Sequence, residues 1–167
     1  MRNRRFVAVH RGGSLSIEHH RQLTSWAADC AEHVLPIFAA CNADDRPHRA
    51  VEAARAWAKG AISVGDARNA ALEAHSAARG AVNDAAIAAA RATGHAAATA
   101  HMADHSLGAA EYALKAVEAT GISSANERVW QDEHLPAGIR ELVLSAQEER
   151  RLVGKDLQRA KYPGKHS

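Results

Sequence analysis

Aromatic residues are scarce in this chain, at 4% of 167 residues, so its core cannot be assembled around a few large rings. Cysteine is nearly absent as well. Cys30 and Cys41 lack CxxC spacing, which excludes a disulfide framework or a thiolate metal knuckle and leaves them to be read as small buried hydrophobes in a reducing compartment. No apolar run approaches the roughly 20 residues of a membrane span, and the stretch Phe6 to Val9 is too brief for a signal-peptide core. Neither sign of charge dominates: a formal net charge of +2 gives no broad attraction to nucleic acid or to a membrane surface. Also missing are a GxxxxGK[ST] phosphate loop, an acidic nuclease-type metal cluster and a nucleophile-elbow serine. These absences point to a cytoplasmic protein without membrane or nucleic-acid partners.

Alanine is abundant, at about a quarter of the chain. Its high helix propensity and small side chain favour helices that approach one another closely. The expected fold is all-α, a compact multi-helix bundle or short solenoid-like array of about six to seven helices. Residues 1–14, with Arg2, Arg4, Arg5 and Arg11, read as a basic, partly disordered leader, 15–157 as one helical domain and 158–167 as a disordered tail.

Ser16 is placed to cap a first helix whose Leu23, Trp26, Ala27, Cys30, Val34, Ile37 and Phe38 share one face, with Pro36 kinking or ending it. Pro47 starts a second helix, Gly60 stops it, and Ser63 with Asp66 opens a third. A fourth helix is expected over 81–92, ending at Thr93 and Gly94. From there a long central helix, GHAAATAHMADHSLGAAEYALK, runs on to a stop at Gly121. After a weaker segment anchored by Val129 and Trp130, Pro136 initiates a last helix with Ile139, Leu142, Val143, Ala146, Arg150 and Val153 on its inward stripe.

Along the expected central helix, His101 and His105 are four residues apart and can address one ligand, with Asp104 close by and Tyr112 on the same edge. The stretch reads HMADH, so the glutamate of a zinc peptidase is replaced by Met102. A zinc or other divalent-metal site at His101, Asp104 and His105, completed by His48, His75 or His95, is therefore the alternative. The first expectation is that these imidazoles hold helices together and that the protein carries no cofactor. The turn with Asp44, Asp45, Arg46 and His48 is the preferred binding loop. Trp26, Trp57 and Trp130 are all expected on apolar faces, with Trp130 the most exposed and the best suited to meet a partner.

Five segments, SLSIEHHRQLTSWAADCAEHVLP, DDRPHRAVEAARAWAKG, GDARNAALEAHSAARGA, GHAAATAHMADHSLGAAEYALKA and VWQDEHLPAGIRELV, together resemble the Imm-5-like immunity proteins of bacteria. The resemblance spans roughly residues 15 to 150 in the same order. It implies an all-helical cytosolic protein that binds and blocks a cognate toxin of a polymorphic toxin system and catalyses nothing. It supplies no binding residues to carry over. A homodimer through an alanine-rich or C-terminal helical face is a further expectation.

Overall fold

The computed structural model describes residues 3–161. Among them are seven α-helices and no strand, apart from one isolated parallel bridge between Ala8 and Leu15. α1 (Ile17–Ala39) begins where Ser16 Oγ accepts the His19 amide at 3.1 Å. It buries Leu23, Trp26, Ala27, Cys30, Val34 and Phe38, the bulky face read from the sequence. Pro36 does not break it. The proline falls in the final turn, where only one interior bond is forfeited, and the Ala40 amide still donates to the Pro36 carbonyl at 3.0 Å.

α2 (Arg46–Ala58) ends at Gly60, whose φ of 76° lies in the left-handed region. α3 (Val64–Arg79) is capped by Ser63 Oγ, which accepts the Asp66 amide. The larger correction concerns the central helix. α4 (Asp84–Ala98) passes through Thr93 and Gly94 unbroken, and the chain turns only at 99–104 before α5 (His105–Ala119) begins. There is neither glycine nor proline at that break. The Thr99 hydroxyl donates to the His95 carbonyl at 2.9 Å, and the next amides tighten to partners three residues back, Ala100 to Ala97 and His101 to Ala98.

α4 is the axis of the bundle and packs on α1, α2, α3 and α5. A solenoid repeat touches only its neighbours in sequence, so this arrangement is a compact bundle. Alanines line most of α4, and its backbone comes close enough to its neighbours that bulk is supplied mainly by α1. α6 (Ala125–Glu133) is pinned by buried Gln131: its Nε2 donates to the Ala110 carbonyl at 3.1 Å, and its own carbonyl accepts Trp26 Nε1 at 2.9 Å. α7 (Ala137–Lys161) buries Ile139, Val143 and Ala146 and then leaves the core. Val153, expected inward, is 59% exposed, and Leu152 and Leu157 are also exposed.

The described part of the basic leader is ordered. Two 3-10 turns, Arg4–Phe6 and Val9–Arg11, fold back on the bundle, Phe6 is buried, and Arg5 bonds Ser145 Oγ and Glu149 of α7. Burial of Phe6 and these long-range polar contacts offset the entropy of ordering a short segment that its glycines and charges disguise as a tail. Of the tail expected over 158–167, residues 158–161 continue α7, and the remainder lies outside the described residues, as does Arg2. Among the described residues, no helix is long and apolar enough to cross a membrane.

Candidate functional site: a tryptophan groove and a histidine row

Trp130 sits where α6 lies beside α1. His33 stacks on its indole at 3.8 Å between centroids and 5° between planes, and His134 stacks at 3.9 Å. Both imidazoles are themselves held. His33 Nδ1 bonds the nearly buried Glu127 carboxylate at 2.7 Å, and His134 Nδ1 donates to the Trp130 carbonyl at 2.7 Å. The indole is half-buried and fixed in orientation by the two rings.

Beside it opens a surface groove of about 410 Å³, lined also by Asp29, Glu32, Pro36 and Arg55. Arg55 reaches from α2 across to α1 and forks between Asp29 and Glu32, at 2.9 Å to each. Burial works against the Arg55 charge, but the two carboxylates outweigh it and hold the guanidinium firmly protonated. A rigid aromatic flanked by oriented charges suits protein recognition.

The turn favoured from the sequence is mostly engaged with itself. Asp44 Oδ1 accepts the Arg46 amide at 3.0 Å and its carboxylate grips the Arg46 guanidinium, which also reaches Glu73 of α3 at 3.6 Å. That guanidinium and the amide it lies beside draw the Asp44 carboxyl below its usual range. Asp45 pairs with Arg49, and His48 with Glu52, each one helical turn on. None of these four residues lines the groove that holds Trp130.

The second cluster is the histidine row. His101 and His105 are not on one helix: His101 belongs to the turn between α4 and α5, and His105 is the first residue of α5. The four-residue helical spacing that suggested a metal pair is therefore lost. What forms is a file of rings, His75, His95, His105 and His101, with successive centroids 5.3, 5.1 and 5.3 Å apart. Tyr112 stacks on His95 at 5.0 Å. His48, the other suggested third ligand, is elsewhere with Glu52. Asp104 occupies the N-cap position of α5 without making a cap bond.

Two glycines seat the row. A Cβ on Gly94 would lie 2.7 Å from the His75 ring, and one on Gly108 would lie 2.7 Å from His95 Nδ1. Their service is close approach, since neither has positive φ, and that is why Gly94 does not end α4. His95 and His105 face each other with Nδ1 atoms 3.1 Å apart, so one ring donates and the other accepts. Burial, reinforced by His105, His75, Arg150 and Arg91, pushes His95 from 6.5 down to about 3, and burial likewise lowers His75. His75 and His95 are thereby kept neutral, and the row interlocks α3, α4 and α5. Among the described residues, no group of three or more His, Cys, Asp or Glu side chains is arranged to hold a metal ion.

Sequence reasoning singled out Trp130 but missed the groove residues Asp29, Glu32, His33, Arg55 and His134. Their signal was available in part, as charged positions left on the outer faces of α1 and α2, but the pairing of those faces with α6 is a tertiary fact. No curated protein and no solved structure matches the chain. A family model does match, over residues 13–138, which takes in the groove, the turn and the whole histidine row. The chain belongs to the family described as Imm-5 like putative immunity protein.

Proposed function

We propose that this protein is an immunity protein that neutralises a cognate toxin by binding and blocking it, with no turnover of substrate. The observation that carries this reading is membership of the immunity family across most of the chain. The groove supports a recognition role. Trp130, locked by His33 and His134, is the anchor, and Asp29, Glu32 and Arg55 form the oriented polar rim. Two carboxylates, Asp29 and Glu32, stand around the one arginine of the groove, so the complementary toxin surface is cationic and association weakens with salt. The Asp44–Arg46 turn is a lesser contact, because none of its residues lines the groove that holds the Trp130 anchor.

Co-expression with the toxin encoded beside it tests the reading. Rescue of growth and co-purification are expected, and failure of both overturns the immunity role. With the complex in hand, Trp130→Ala is expected to weaken binding at least tenfold, as for a central aromatic anchor. Unchanged binding by Trp130→Ala would leave immunity standing and move the interface elsewhere.

A further inference from the structure

A second concavity lies at one end of the bundle, separate from the groove that holds Trp130. It has a volume of about 390 Å³, in the range of small-molecule sites. Four stretches of chain close it: the ordered leader, the start of α1, the turn between α2 and α3, and the turn between α4 and α5. Its walls are apolar, with Phe6, Ile17, Trp57, Ile62 and Met102. Trp57 packs at a tilt on buried His20, centroids 4.7 Å apart and planes 54° apart, so the indole is a firm floor.

The charged lining is entirely of one kind. Arg11 and Arg21 are joined by His10, His20 and His101, and no aspartate or glutamate lines the cavity, in a chain with 19 acids against 21 lysines and arginines. Among the described residues neither Arg11 nor Arg21 is in an ion pair. Arg11 reaches inward as far as the His101 carbonyl, at 3.3 Å. His20 adds no charge: its Nε2 donates to the Thr99 carbonyl at 2.6 Å, and burial keeps the ring below its usual protonation range. The cationic character therefore rests on two exposed guanidiniums at the rim of an apolar chamber. Arginine is suited to that position, because its fork matches an acid group and it is weakly hydrated.

We infer that this cleft binds a small amphiphilic anion, with the acid group on Arg11 and Arg21 and the apolar body against Trp57, Ile62 and Met102. Such a ligand would touch four chain segments at once, and its binding is independent of the groove around Trp130.

The test is a proton–nitrogen NMR titration of the full chain with hexanoate, with hexanol and with inorganic phosphate in turn. The Trp57 indole N–H is the reporter, and those of Trp26 and Trp130 are internal references. Hexanoate is expected to shift Trp57 saturably and to leave the other two in place. Hexanol should require at least tenfold higher concentration, and phosphate should leave Trp57 unmoved. Arg21→Gln and Arg11→Gln alter exposed side chains, and each is expected to weaken hexanoate binding tenfold or more, whereas Arg151→Gln on α7 should not. Equal binding of hexanol and hexanoate, phosphate binding as tight as hexanoate, undiminished binding by both arginine variants, or no saturable shift at Trp57 would each overturn the assignment.

Discussion

The Nδ1 atoms of His95 and His105 are 3.1 Å apart, and only one of them can carry the proton between them. His95 belongs to α4, the axis of the bundle, and His105 opens α5 on the far side of the turn at 99–104. That hydrogen bond thus joins the two helices across their own connection. Around it stand His75 of α3, His101, Tyr112 and Arg91, with Arg150 of α7 close enough to be felt.

Acid should therefore loosen the bundle before carboxylates titrate. His95 is held at about 3 in the fold against 6.5 when free, so the unfolded chain takes up a proton that the folded chain refuses. The resulting stability is fully present above pH 6.5 and is lost as pH falls from there toward 3. At about pH 5 the loss from His95 alone is about 2 kcal/mol, and the lowered His75 adds to it in the same direction. Urea unfolding at about pH 7.5 and about pH 5 checks this. His95→Gln cannot titrate and should show a markedly flatter pH dependence; an equally steep one would place the acid sensitivity elsewhere.

Gly108 leaves room for that ring. Its replacement by Ala adds a methyl that would stand 2.7 Å from His95 Nδ1, closer than packed atoms tolerate. His95 cannot swing away freely, because Tyr112 stacks on it at 5.0 Å and His75 meets its edge. The ordinary gain in helix propensity from Gly to Ala, up to about 1 kcal/mol, is opposed by overpacking of about 1–3 kcal/mol. A net loss of stability is expected for Gly108→Ala, read as a lower thermal midpoint. Gly154→Ala in exposed α7, where a Cβ meets nothing, is the control and should stabilise slightly.

Much of the architecture could be read directly because its signals are local. Ser16, Ser63 and Pro47 mark helix starts by their own chemistry, and the α1 face from Leu23 to Phe38 follows from spacing. The failures share a cause. Gly94 reads as a helix stop from sequence, yet its meaning is set by an imidazole from α3. The true break at 99–104 carries only threonine back-bonding and tightened turns, which composition does not announce. In an alanine-rich chain the faces are so uniform that helix partners cannot be ranked, so Arg55 meeting Asp29 and Glu32, or His33 meeting Trp130, was legible only once the helices were placed. Trp130 was found because a large residue on a weak, short helix is conspicuous.

The leader provides the remaining prediction. Phe6 is 4% exposed and packs into the same core cluster as Leu15, Leu23 and Trp26. Leu15 and Val7 are tied by a backbone bond at 3.0 Å, and Arg5 bridges to Ser145 and Glu149 on α7. If this segment were a solvated tail, its removal would cost nothing. As a built wall it should behave like core: Phe6→Ala is expected to destabilise by about 3–5 kcal/mol, toward the lower end if the neighbours collapse inward. Arg5→Ala breaks only exposed contacts and should cost well under the aromatic truncation, at about 0.5 kcal/mol. The two variants measured together by urea unfolding separate apolar burial from surface charge. A Phe6→Ala effect no larger than that of Arg5→Ala would return residues 3–11 to the status of a tail and remove one wall from the cleft that holds Trp57.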